Sequence, residues 1–133
     1  MNVCAISPTS TVADVRGPKP TVLCVDDSED ILLICRTVLE SGGYDVLTAA
    51  NGPEGLQLLK EHSVDVAVID SVMPGMCGAD LAREIKHAAA DIPVIMFTSS
   101  ERAHETGGFV DSYLSKGQGP IALRKLVGVL LQR

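Results

Sequence analysis

An α/β fold, with a parallel sheet between two layers of helices, is the class this sequence predicts. Three observations predict it. Short apolar runs alternate with amphipathic stretches five times along the chain. Three of those runs are nearly continuous in aliphatic residues, as strands covered on both faces must be. Polar residues collect where the runs end rather than where they begin.

The first strand reads Thr21-Val22-Leu23-Cys24-Val25 and stops at Asp26-Asp27. Ser28-Glu29-Asp30 then offers an N-cap and acidic first-turn residues. Ile31, Cys35, Val38 and Leu39 follow at helical spacing until Gly42-Gly43 ends the helix. Tyr44 to Ala49 is a second strand. Asn51-Gly52-Pro53-Glu54 opens a second helix with Pro53 in its first turn, and Leu56 and Leu59 mark its inner face. Val64 to Ile69 is a third strand, closed by Asp70, and Met73-Pro74-Gly75-Met76 is a loop. Leu81, Ile85 and Ala88 give the third helix its apolar stripe. Ile92 to Phe97 is a fourth strand, with Pro93 at its start where a missing N–H is tolerated, and Thr98-Ser99-Ser100 ends it. Glu101 to Thr106 has room for one or two helical turns. Asp111 to Ser115 is a fifth strand, ending at Lys116, and Leu123, Leu126, Val127 and Leu130 carry a last helix.

The bounds agree with one domain. The chain has 133 residues, enough to bury an unstapled core. Hydrophobic residues make up 46%, which excludes disorder across the chain. With no Trp, two Tyr and two Phe, it lacks an aromatic platform for single-stranded nucleic acid. A net charge of −6 argues against gripping phosphate backbones, so no direct nucleic-acid partner is expected. No apolar run is long enough for membrane insertion. Cys4, Cys24, Cys35 and Cys77 show no metal or disulfide spacing, which points to a reduced, cytoplasmic chain. Residues 1–19, rich in Ser, Thr, Pro and Gly, read as a flexible N-terminal tail, and 20–133 as the folded domain.

Ligands of an open parallel sheet bind at the carboxyl ends of its strands. Asp26 and Asp27, Asp70, Thr98 and Lys116 all stand at such ends. Three carboxylates on one rim repel; a pair about 4 Å apart costs about 4 kcal/mol at an effective dielectric near 20. Either one of them takes up a proton or a cation sits among them. Hard oxygen ligands with room for water suit Mg²⁺. A carboxylate nucleophile, a hydroxyl and an ammonium around such an ion are the equipment of phosphoryl transfer.

Val25-Asp26-Asp27, Asp70 with Met73-Pro74-Gly75, Thr98-Ser99, and Tyr113-Leu114-Ser115-Lys116 occur in order, each at a strand end. Over residues 20–133 the chain resembles the receiver domain of two-component response regulators. That resemblance implies a flavodoxin-like five-stranded sheet of order 2-1-3-4-5 in a three-layer α/β/α sandwich. It implies Asp70 as phospho-acceptor, and Asp26, Asp27, Asp70 and the backbone carbonyl of Val72 as holders of Mg²⁺. Thr98 and Lys116 match the residues that contact the phosphoryl group, and Thr98 and Tyr113 the switch pair. Two departures stand out. Gly117 replaces a proline that in the family often follows a cis bond, and the stretch from Thr98 to Lys116 is about one helical turn short, so the fourth helix is expected to be shortened or irregular.

One helix uses everything after Lys116, so the expectation is a single-domain regulator. It would take its phosphoryl group from a sensor histidine kinase or a histidine phosphotransfer protein and act on an output protein. It would catalyse only its own phosphorylation and dephosphorylation: an aspartyl-phosphate hydrolase normally carries an acid two residues past the nucleophile, where this chain has Val72. The alternative is a receiver-like interaction module that no longer depends on phosphorylation.

Overall fold

The computed structural model describes residues 19–99 and 108–132. The tail up to Gly17-Pro18, Cys4, Ser100, His104 and the short helical stretch expected over Glu101 to Thr106 lie outside the described residues.

Five strands run β1 (Thr21–Val25), β2 (Asp45–Ala49), β3 (Val66–Ile69), β4 (Val94–Thr98) and β5 (Ser112–Ser115). The described helices are α1 (Glu29–Ser41), α2 (Gly52–Glu61), α3 (Gly78–Ala88) and α4 (Gly119–Leu131). All strand pairs are parallel, in the order β2-β1-β3-β4-β5. This is the 2-1-3-4-5 sheet of the flavodoxin-like fold.

The layers follow from the period of two along each strand. Leu23 and Val25 of β1, Ala67 and Ile69 of β3, and Val94 and Met96 of β4 share one core with Leu81, Ala82 and Ile85 of α3 and with leucines of α2. Val22 and Cys24, Val66 and Val68, and Ile95 and Phe97 share the other with Leu32, Cys35 and Leu39 of α1 and with Leu123 and Val127 of α4. Because both faces are covered, β3 and β4 are buried residue after residue, and β1 is buried from Val22 on. Cys24 and Cys35 pack as small apolar groups; burial pushes the Cys24 thiol far up and the Cys35 thiol to about 11, so neither is a ready thiolate.

Local signals hold at the helix ends. The Ser28 hydroxyl accepts from the Ile31 N–H at 3.3 Å, and the Asn51 side chain accepts from Glu54 N–H at 2.9 Å. Glu54 reaches back to the Ala50 N–H at 3.1 Å, completing a reciprocal cap. After α1 the chain turns at Gly43, whose φ of +95° only glycine adopts without strain.

Several expectations need correction, among them the starts of β2, at Asp45 rather than Tyr44, and of β5, at Ser112 rather than Asp111. In α1 the buried positions are Leu32, Cys35 and Leu39, while Ile31 and Val38 are half-buried. In α3, Ala88 is exposed and Ala82 takes its place in the core. β3 begins at Val66 rather than Val64, because Asp65 caps the strand: its carboxylate accepts from Thr21 N–H at 2.7 Å while its own N–H bonds Thr21 O at 2.9 Å. β4 begins at Val94 rather than Ile92 and runs through Thr98. Pro93 has no N–H for the ladder, and Asp111 receives Val94 N–H on its carboxylate at 2.7 Å and gives its own N–H to Val94 O at 2.9 Å.

Candidate functional site

Chain order places β1 and β3 side by side at the centre, with β2 leaving to one side and β4 and β5 to the other. The crevice at this reversal opens past the carboxyl ends of β1 and β3. Asp26 follows β1 directly and Asp70 follows β3 directly. Their backbones continue the ladder: Asp26 N–H bonds Ala49 O at 3.1 Å, and Asp70 N–H bonds Val25 O at 3.0 Å. Neither carboxylate is carried on a free loop.

Both are almost out of water, at 4% and 7% exposure, yet neither is unsatisfied. Asp26 Oδ1 accepts from Ser28 N–H at 2.9 Å and Oδ2 from Lys116 Nζ at 2.7 Å. Asp70 Oδ1 accepts from Ser71 N–H at 2.8 Å, and its Oδ2 lies 3.3 Å from the same ammonium. Lys116 reaches them from the end of β5, where Lys116–Gln118 form a 3₁₀ turn. Among the described residues no peptide bond is cis, the one after Lys116 included. The Gly117 N–H donates to the Ser115 hydroxyl at 3.1 Å, so the turn is closed without a proline.

Asp27 stands beside this pair, exposed, and one carboxylate oxygen from each of Asp26, Asp27 and Asp70 lies within 4.8 Å of the others. Burial, then the neighbouring Asp26 charge, push the Asp70 carboxyl above its ordinary value, and Lys116 only partly opposes them. For Lys116, burial alone would lower the ammonium's value. Its hydrogen bonds and charge contacts with Asp26 and Asp70 outweigh that and raise it. Among the described residues the Lys116 ammonium contacts two of the three clustered carboxylates, Asp26 and Asp70. The donor set is all hard oxygen, one member is open to water, and the uncompensated charge is negative, which fits a divalent ion of the Mg²⁺ kind.

Thr98, the last residue of β4, is 6% exposed, and its hydroxyl shares a hydrogen bond with that of Ser71. Tyr113 is half-buried in β5 against the core that α2 and α3 cover. Val72, two residues past Asp70, turns a largely exposed side chain outward. The structure thus gathers Asp26, Asp27, Asp70 and Lys116 directly, and Thr98 through Ser71.

Two residues of this neighbourhood escape a reading of the sequence alone. Ser71 becomes visible only through register: Ile69 pairs with Met96, so two residues further on Ser71 comes opposite Thr98. Gly78 opens α3 against the end of β3. A Cβ there would collide with Asp70 O and stand 2.8 Å from Ser71 Cα, so a glycine lets the helix start this close. Met73 and Met76, in the intervening loop, pack into the core.

Known proteins are similar to this chain in sequence and fold. A response regulator receiver domain family model matches residues 22–127. The response regulator SaeR of Staphylococcus aureus is 36% identical over 116 residues, covering 84% of this chain and 50% of that protein. The chain spans about half the length of the curated relatives it matches. A response regulator receiver domain protein from Clostridium thermocellum superposes with a TM-score of 0.79 at 30% identity, over 86% of this chain and 95% of that one. Response regulator TrrA of Thermotoga maritima, solved in complex with Mg(2+)-BeF, gives 0.78 at 28% identity over 84% and 98%. Chemotaxis response regulator CheY4 of Vibrio cholerae gives 0.76 at 28%, again over 84% and 98%. With strand order, acidic crevice and sequence in agreement, the chain belongs to the response regulator receiver domain family.

Proposed function

We propose that this domain accepts a phosphoryl group on Asp70 and signals through the change of surface that follows. The observation that carries the reading is the Lys116 ammonium set between the Asp26 and Asp70 carboxylates, with Asp27 beside them, at the reversal of strand order. An Asp70 oxygen attacks phosphorus as the P–N bond of a phosphohistidine breaks, and that bond's electron pair leaves on the imidazole nitrogen. Lys116 stays charged throughout and moves with the developing charge from carboxylate to phosphoryl oxygen. Thr98 supplies a hydroxyl to another phosphoryl oxygen, and Tyr113 repacks with it. Asp26, Asp27, Asp70 and the Val72 carbonyl would hold Mg²⁺. When bound, the ion neutralises charge on the phosphoryl oxygens.

The donor in this reading is a sensor histidine kinase or a histidine phosphotransfer protein, and the acceptor works in the cytoplasm as a domain of residues 20–133 behind a tail of 1–19. It turns over no other substrate and hands its signal to an output protein. Among the described residues no helix is long and apolar enough to cross a membrane. The rival reading, an interaction module independent of phosphorylation, rests on Gly117 in place of proline and on the short stretch between Thr98 and Lys116; Lys116 reaches both carboxylates with that glycine present, and 100–107 of the stretch lies outside the described residues.

Incubation with a small acyl phosphate and Mg²⁺ tests the reading by intact mass. A gain of one phosphoryl group is expected. It should be lost in Asp70→Asn and on chelation of the metal, and reduced at least tenfold at limiting Mg²⁺ in Asp27→Ala. Labelling that persists in Asp70→Asn would place the acceptor elsewhere.

A further inference from the structure

We infer that the Ser71 hydroxyl is a positioning group that holds Thr98 in the unphosphorylated state and thereby sets how readily the domain switches. The inference rests on the acceptor reading above. The two hydroxyl oxygens are 2.5 Å apart, at the short end for such bonds. They meet because β3 and β4 pair in parallel with Ile69 opposite Met96, and the same register carried two residues further brings Ser71 to Thr98. Ser71 is anchored in turn, its N–H donating to Asp70 Oδ1 at 2.8 Å. One residue therefore holds the acceptor carboxylate with its backbone and the threonine with its side chain.

A threonine hydroxyl has a single proton to donate. To serve a phosphoryl oxygen on Asp70 it must point that proton there. Thr98 is 6% exposed, so bulk water cannot stand in for a lost partner. The β-branched side chain moves by hopping between staggered wells rather than by drifting. Either hydroxyl can be the donor of the Ser71–Thr98 bond, and in both cases a hop that carries the Thr98 oxygen toward the phosphoryl group takes it out of the bond made in the resting well. Thr98 has interactions besides Ser71, and Ser71 is itself tied to the Asp70 carboxylate. A ligand shifts such an equilibrium only by its difference in affinity for the two states, so a bond made only in the resting state subtracts from that difference.

The test compares wild type, Ser71→Ala, Ser71→Thr, Thr98→Val and the Ser71→Ala/Thr98→Val double variant. Beryllofluoride with Mg²⁺ is the probe, with affinity from calorimetry and the Thr98 methyl resonance followed by NMR. Loss of one competing hydrogen bond should tighten beryllofluoride binding about three- to tenfold in Ser71→Ala. Ser71→Thr, which keeps the hydroxyl, should stay within about twofold of wild type. In the Thr98→Val background the Ser71→Ala change should be silent, since the two act as a unit. The unligated Ser71→Ala protein should show its Thr98 methyl displaced toward the position of the loaded wild type, which a merely structural role would not produce. Ser71→Cys, nearly isosteric with a weak S–H donor, should move affinity in the same direction and serves if the alanine variant folds poorly. Unchanged or weaker binding in Ser71→Ala, or equal tightening with Val at position 98, overturns the inference alone. Failure of the wild type to bind the probe overturns the acceptor reading and this inference with it.

Discussion

Asp70 is a carboxylate that the fold disfavours in its ionised form. Burial and the Asp26 charge raise its pKa above that of the unfolded chain, so the sign of its linkage is opposite to that of a salt-bridged carboxylate. Below the ordinary carboxylate range Asp70 is protonated in both states and the penalty is absent. It grows as pH rises through the unfolded value and is complete above the raised folded value. In metal-free protein at pH about 8, Asp70→Asn should therefore raise Tm by a few degrees, the scale about 1 kcal/mol sets for a chain this size. At pH about 4 the gain should shrink markedly, because the wild-type penalty is itself largely gone. Thermal melts in chelator at the two pH values measure this. A variant less stable than wild type at pH 8 would show that the lost Lys116 contact outweighs the relief of repulsion. Lys116 has the opposite linkage: its raised pKa contributes stability that is present below the ordinary lysine value and lost as pH climbs through the raised one. The acidic residues and Lys116 were legible in the sequence because each ends a strand. Ser71 was not, because its neighbour Thr98 lies across a register that sequence does not display.

At the scale of elements, legibility divides between ends and faces. Helix starts were readable because caps are local chemistry: Ser28 and Asn51 bond within their own first turns. Faces were less so. Ile31-Leu32-Leu33-Ile34 are four apolar residues in a row, so spacing leaves the phase of α1 open, and packing chooses Leu32 while Leu33 and Ile34 stay exposed at 63% and 46%. The starts of β3 and β4 were misplaced because Asp65 and Asp111, each bound to a neighbouring strand, cap the ladders. The element contact that matters most for the site is the start of α3 against the end of β3. Gly78 N–H bonds Ser71 O at 3.0 Å, and a Cβ at Gly78 would meet backbone, which cannot rotate away. Gly78→Ala should thus cost about 1–3 kcal/mol, the usual range for overpacking. On the proposed reading it should also slow Asp70 labelling, because the strain falls on the Asp70–Ser71 peptide. Gly43→Ala, at a positive φ with open space around it, is the control: it should destabilise modestly and leave labelling unchanged. Denaturant unfolding and labelling rates on both variants separate the two. Equal labelling in Gly78→Ala and wild type would mean that the close approach serves packing alone.

For the molecule as a whole, the question is which part yields when charge arrives at the crevice. Among the described residues β5 is the edge of the sheet, paired with β4 alone, and its residues are half-buried or exposed where those of β3 and β4 are buried. Thr98 and Ser115 are partners in that last ladder, and Lys116 follows at once. The two groups that a phosphoryl on Asp70 would draw inward therefore both pull on the β4–β5 pair. Upstream, Phe109, Val110 and Tyr113 rest half-buried against the core beneath α2 and α3, and Asp111 fastens the segment to Lys86 of α3 at 2.7 Å. Phe109 meets the exposed His87 ring edge-on at 6.2 Å, another contact at the surface rather than in the core. Few buried contacts and a one-sided ladder mark the low end of local stability. The α1 and α4 side, by contrast, is held by Leu32, Cys35, Leu39, Leu123 and Val127, all buried. A bistable element has to come from the first group, not the second. With beryllofluoride and Mg²⁺, amide exchange should therefore change most across residues 108–116 and least in α1 and α4. Comparison of exchange with and without the probe, in wild type and Asp70→Asn, measures it. Protection that changes chiefly in α1 or α4, with 108–116 unaltered, would move the switch to the opposite face of the sheet and sink this account.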